Sequence, residues 1–146
     1  MAKRAMVLSP VNRKIVRADP VKRGYSGPWR RYSEKFRKRF PVCLACVRHH
    51  TPVYCVDHII PVNGPGDPHF MSHWNHQPLC RRCHGAKTEK HDDRLSAQRT
   101  TLTMGLDALE LERSTEEARN ELLRRAGIWQ QWFDLGGYEL ISWQTK

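Results

Sequence analysis

Two stretches decide how this chain is read. They are Val56-Asp57-His58-Ile59-Ile60-Pro61 and, after a turn-rich gap, Asn75-His76-Gln77-Pro78-Leu79-Cys80-Arg81-Arg82-Cys83-His84. The first is a short apolar, β-branched run interrupted by an adjacent acid and imidazole. Successive side chains of a strand point to opposite faces, so Asp57 and His58 cannot both serve one ion without distortion. One can face a metal while the other faces an incoming water. The second stretch ends in a Cys-x-x-Cys pair, Cys80 and Cys83, with His84 next in line.

A pair of identical spacing, Cys43 and Cys46, lies upstream, and 33 residues separate the two pairs. Each pair makes a tight knuckle presenting two thiolates, and the chain between them can fold back as a hairpin. Together they supply the four ligands of a tetrahedral zinc site. With cysteine at every position there is no place for water, so this zinc is structural. In so short a chain it would add about 10 kcal/mol of folding free energy. Cys55, the fifth cysteine, sits on the presumed strand and reads as a small buried apolar residue.

Working outward, the segment from Gly27 to Phe40 predicts a helix. Ser26 or Gly27 caps it, Pro28 suits its first turn and Pro41 ends it. Trp29, Tyr32, Phe36 and Phe40 recur at helical spacing as a buried stripe, which turns Arg30, Arg31, Arg37 and Lys38 outward. The run from Thr51 to Ile60 reads as a short strand, "PVNGPGDP" as turns, and "HFMSHWNHQPL" as a His-rich loop. A helix is predicted from Cys83 to about Gln98. Further on, Ser114 and Glu117 stand at capping-box spacing and Gly127 sits where a C-terminal glycine belongs. Trp129, Trp132 and Trp143 cluster near the end, where Gly136-Gly137 suggests a hairpin turn.

The 146 residues carry a net charge of +10, unevenly spread. Residues 1–50 hold fourteen Lys and Arg against two acids, or +12; the remainder holds eleven against thirteen, or −2. That imbalance points to a polyanionic partner. No apolar run is long enough to span a membrane, and the N-terminal apolar stretch stops at Pro10, which makes a poor signal peptide. A cytoplasmic protein without a disulfide framework is expected. Nothing resembles a dedicated sequence-reading DNA-binding domain.

In order, Cys-x-x-Cys, Asp57-His58-Ile59, a turn-rich loop, Asn75, Cys-x-x-Cys-His84 and Lys87 resemble the HNH endonuclease family over roughly residues 29 to 91. The short basic build is similar to nucleases encoded by bacteriophages. The resemblance implies an α+β fold: a small ββα-metal core with a four-cysteine structural zinc knuckle pair, flanked by helices and a basic N-terminal arm. It divides the chain into an arm (1–27), a nuclease domain (28–99) and a C-terminal helical and aromatic extension (100–146).

The same resemblance implies roles. Asp57 and His84 hold one catalytic divalent cation, for which a mixed oxygen and nitrogen site suits Mg²⁺, Mn²⁺, Ni²⁺ or Zn²⁺. His58 is the general base, and Asn75 orients its ring. His73 and His76 are alternatives for part of that last role, because His76 stands where the family usually has a hydrophobic residue. Asn63 is a weaker competitor, better explained as a turn. Lys87, Arg81 and Arg82 would meet backbone phosphates, with Arg30, Arg37 and Lys38 tracking them from the first helix. His91 reads as an exposed helix residue, and His49, His50 and His69 as surface residues.

The reaction expected is metal-dependent hydrolysis of DNA with low sequence specificity. A place in phage genome packaging beside a terminase, or in other DNA processing, would follow, with the host cytoplasm as location. The alternative is a non-catalytic zinc module that binds nucleic acid or a protein. Oligomeric state is open.

Overall fold

The computed structural model describes Asp19 and residues 22–137. Most of the expected arm therefore lies outside the described residues, as do Trp143 and the second half of the expected hairpin. Within them the chain is mixed: seven α-helices and one small sheet of two antiparallel strands.

Helix α1 spans Gly27–Arg39, with Ser26 at its N-cap position and a proline in the first turn. The aromatic stripe faces inward as the periodicity predicts: Trp29, Phe36 and Phe40 are buried and Tyr32 packs beside them. Arg37, Lys38 and Arg39 crowd the last turn, where cations meet the negative end of the helix dipole.

The chain then makes the first knuckle as a hairpin. Val42 bridges Pro52, and the Cys43 amide donates to the Thr51 carbonyl at 2.8 Å. Strand β1 is only Cys55–His58, shorter than the apolar run suggested. Its partner β2, His76–Leu79, falls inside the stretch read from its residues as a His-rich loop. Cross-strand pairs are Cys55 with Leu79, Val56 with Pro78, Asp57 with Gln77 and His58 with His76. Opposite residues share a face, so Asp57 and Gln77 point one way and His58 and His76 the other. The Pro78 carbonyl accepts from the Leu44 amide, tying the first knuckle to the sheet.

Helix α2 spans Arg81–Lys90 and begins at the second knuckle, with Cys80 as its N-cap. The single helix expected to about Gln98 is broken into α2 and α3 (Asp92–Ala97), and α4 (Arg99–Thr103) follows. His91, at φ −126°, makes the first break, which lets Leu95 and Leu102 both reach the core. Helix α5 (Leu106–Glu112) had no distinct sequence signal; α6 (Thr115–Ala126) had two. The Ser114 side chain accepts from the Glu117 amide, and Gly127 closes α6 at φ 63°, a conformation costly for any residue with a Cβ. Helix α7 (Gln130–Asp134) lies where a hairpin strand was expected.

One apolar cluster joins α1, the strand exit and the C-terminal helices: Phe36, Phe40, Leu44, Ile59, Ile60, Trp74, Leu95, Leu122 and Trp132 all belong to it. Trp129 and Trp132 are part of this packing rather than an exposed aromatic surface. Trp132 is fully buried, and Trp129 Nε1 donates to Gln77 Oε1 on β2.

Candidate functional site

The four knuckle cysteines converge. Their sulfurs all lie within 4.8 Å of one another, positioned to bind a metal ion. A tetrahedral ion about 2.3 Å from each sulfur would set them about 3.8 Å apart, and Cys46 Sγ stands 3.8 Å from Cys80 Sγ. The cluster is compatible with a structural zinc site. Its electrostatics point the same way. Burial pushes the Cys43 thiol up to about 11 and Cys83 higher still. At Cys80 burial also opposes ionisation, yet the Cys83 amide and neighbouring thiols donate to its sulfur and hold it below the ordinary thiol value. A bound cation would favour the thiolate form at this cluster.

Directly beyond Cys83, His84 reaches back over β1. Its Nε2 is 3.5 Å from Asp57 Oδ1. Bonds of about 2.0–2.2 Å place two ligands of one ion about 3 to 3.5 Å apart, so this pair fits a shared cation. His84 is part-exposed while Asp57 is nearly buried, leaving one side of the pair open. The other carboxylate oxygen, Oδ2, is occupied: Gln77 donates to it at 2.9 Å and Lys87 Nζ stands at 3.2 Å.

Lys87 corrects an expectation. Instead of reaching for a phosphate it is 1% exposed, and its ammonium donates to the His58 carbonyl at 2.9 Å and to Asp92 Oδ1 at 2.6 Å. The break at His91 brings Asp92 under the helix, and Asp57 and Asp92 together draw the lysine inward.

His58 lies on the opposite face, under α1. Trp29 stacks on its ring at a centroid distance of 5.0 Å, and Phe70 flanks it. Its Nε2 is 2.9 Å from the Phe70 carbonyl oxygen. A carbonyl only accepts, so Nε2 carries the proton and Nδ1 the free lone pair. Burial holds the pKa of His58 below the ordinary histidine value, which keeps it neutral and able to accept a proton near pH 7.

Asn75 does not contact the His58 ring through any described hydrogen bond. Its amide clamps the loop instead, accepting from the Ile60 amide at 2.8 Å and donating to the carbonyls of Ile60 and His69. The ring of His58 is held by a backbone carbonyl one residue beyond that clamp. Asn63 is a turn residue whose amide donates to Asp67. Asp67 is also bonded by the His69 amide and by Arg99 of α4, which together stiffen the same loop.

The alternative histidines are close by. His76 is fully buried and its Nε2 also reaches the Phe70 oxygen, at 2.9 Å. His73 stacks on Tyr32 outside it. His69 is half-buried against Trp74 rather than on the surface. His91 packs beside Trp129.

Beside His84 lies a groove of about 590 Å³, lined by Arg23, Tyr25, Arg37, Tyr54, His84 and Thr88 among others. Arg37 is therefore on the site's rim, whereas Arg30 and Lys38 are exposed elsewhere on α1, with Lys38 paired to Glu34. Arg81 lies over the Tyr54 ring at 4.2 Å, and Arg82 is exposed beside the first knuckle. Tyr54 and Arg23 line the groove without a motif to mark them. Their signal was weak, a lone aromatic before β1 and one basic residue among many. Among the described residues no helix is long and apolar enough to cross a membrane.

No family model, curated protein or solved structure matches this chain.

Proposed function

We propose that this protein is a metal-dependent endonuclease of the HNH kind, hydrolysing DNA phosphodiester bonds with a ββα-metal core made of β1, β2 and α2. The observation that supports it most is the approach of His84 Nε2 to Asp57 Oδ1, with a carbonyl-held imidazole on the very next residue, His58. A cation on Asp57 and His84 would supply charge neutralisation at the phosphate and at the leaving oxygen. His58 takes the proton of the attacking water at Nδ1, and its Nε2–H bond to Phe70 strengthens as the ring becomes positive. Arg23 and Arg37 attract the phosphate backbone into the groove, and Tyr54 offers it an aromatic wall. The four-cysteine site, as structural zinc, fixes the start of α2 and with it the height of His84. DNA is the partner in this reading. A phage terminase or another DNA-processing protein is a further partner that the resemblance suggests.

A second reading, a non-catalytic zinc module, has two observations in its favour: Trp29 covers His58, and Lys87 already neutralises Asp57.

Supercoiled plasmid separates the two. Wild type, His58→Ala and His84→Ala, each with intact zinc content, are incubated with Mg²⁺, Mn²⁺ or Ni²⁺ and with EDTA. The nuclease reading expects wild type to nick, and loss of roughly 100-fold or more in either variant. Three inert proteins that still bind DNA would establish the module instead.

A further inference from the structure

We infer that His76 is a positioning residue that locks the His58 ring in the tautomer with its proton on Nε2 and its lone pair on Nδ1. The catalytic meaning of this lock rests on the nuclease reading above; the lock itself does not. A carbonyl oxygen has two lone pairs. At Phe70 both are taken, one by Nε2 of His58 and one by Nε2 of His76, each at 2.9 Å. The two rings meet edge to face with centroids 5.0 Å apart.

The other nitrogen of His76 is also held. The Tyr32 hydroxyl is 2.6 Å from His76 Nδ1. With Nε2 facing an acceptor-only carbonyl, Nε2 must carry the hydrogen, so Nδ1 accepts and the tyrosine donates. The reverse arrangement would turn a bare nitrogen toward a bare carbonyl oxygen in a buried site. The chain thus runs from Tyr32 on α1, through His76 on β2, to Phe70, and meets His58 there. Nothing in it can rotate freely. The Phe70 amide donates to the Asp67 carbonyl at 3.0 Å, Asn75 holds the neighbouring His69 carbonyl, and Arg119 Nε donates to the His76 carbonyl.

An apolar residue at 76 would leave one lone pair of this buried carbonyl unmatched and free the peptide to reorient. His58 would then sample the other tautomer, presenting an N–H where a base is needed.

The test uses the full chain purified with zinc, at neutral pH. Long-range ¹⁵N–¹H correlation spectra of the histidine rings are recorded for wild type, His76→Phe, His76→Gln and Tyr32→Phe, beside nicking kinetics for each. Glutamine can still donate toward Phe70 and accept from Tyr32. Wild type should show Nε2 protonated and Nδ1 bare in both rings. His76→Phe should mix the His58 tautomers and lower kcat by about 10- to 100-fold with KM unchanged; His76→Gln should restore most of both. If His76→Phe loses its zinc or its fold, Tyr32→Phe decides, because it unties His76 Nδ1 and should loosen that ring on the Phe70 carbonyl without removing any buried ring. A His58 ring protonated on Nδ1 in wild type would overturn the inference. So would a Phe variant with unchanged His58 tautomer and rate, or unchanged His76 and His58 spectra in Tyr32→Phe. An inert wild type would sink the nuclease reading alone, and the spectra would still decide the lock.

Discussion

Burial changes what a charged residue can mean. Lys87 reads in the sequence as a phosphate contact because it stands one turn beyond His84, and helical spacing places both on one face. That face turns inward at Lys87, where Asp57 and Asp92 both need a cation. Removing it leaves two uncompensated carboxylates, so Lys87→Met should cost about 3–5 kcal/mol in urea unfolding. The salt dependence of DNA binding should not change; a slope reduced by about one would restore the phosphate role. His76 carries a second consequence. Burial holds its pKa down to about 3, against 6.5 for an unperturbed histidine. Between those values the unfolded chain binds the extra proton, so stability is complete above the upper one and falls as pH drops toward the lower. The contribution approaches about 1.4 kcal/mol per pH unit for one such group. Urea unfolding of wild type and His76→Gln between pH 7 and 5 should give a steeper loss in wild type. Parallel curves would mean the ring is protonated at little cost in the fold.

At the scale of elements, local chemistry was a good guide where it was self-contained. Helix α1 needed only its stripe and two prolines, and α6 only its cap and its glycine. The Ser114 cap on the Glu117 amide should be worth about 1 kcal/mol, so Ser114→Ala should lower the urea midpoint with an unchanged m-value. Other elements depend on partners distant in sequence. Strand β2 contains Pro78 and the adjacent polar residues His76 and Gln77, which argue against a strand until β1 is beside it. Helix α2 is started by a cysteine whose sulfur accepts from the Cys83 amide, an arrangement that belongs to the cysteine knuckle. Structural zinc contributes on the order of 10 kcal/mol, comparable with the whole stability of a small domain. Chelation should therefore unfold α2 and the sheet together rather than leave a loosened native state. A cooperative loss of far-UV dichroism on adding a strong chelator, reversed by zinc, is the expected result. Unchanged dichroism after proven metal loss would show that the apolar core suffices.

For the molecule as a whole, the charge asymmetry and the proposed nuclease function together predict how DNA would be found. Residues 1–18 contain Lys3, Arg4, Arg13, Lys14 and Arg17, while the described rim of the groove contributes Arg23 and Arg37. Each phosphate contact adds about 0.9 to the slope of log K against log salt, so deleting residues 1–18 should lower that slope by at most about 4 to 5. On the nuclease proposal, nicking at low salt should survive, because the residues proposed to cut lie elsewhere. An unchanged slope would assign the basic segment to solubility.

The sequence by itself determined the ingredients whose chemistry is carried by spacing: two cysteine pairs able to hold one ion, an acid and imidazole side by side on a strand, and a helix entering from the second pair. Spacing works there because knuckles, strands and helix starts are geometries of a few residues. Only the tertiary structure decided which groups meet. It put the Phe70 carbonyl, invisible to any side-chain motif, against two histidines. It withdrew Asn75 to the loop and Lys87 to the interior, and it folded two of the C-terminal tryptophans onto the core. Those outcomes follow from burial, which favours a partner for each polar group taken from water, and the partner is chosen by proximity in space rather than in sequence.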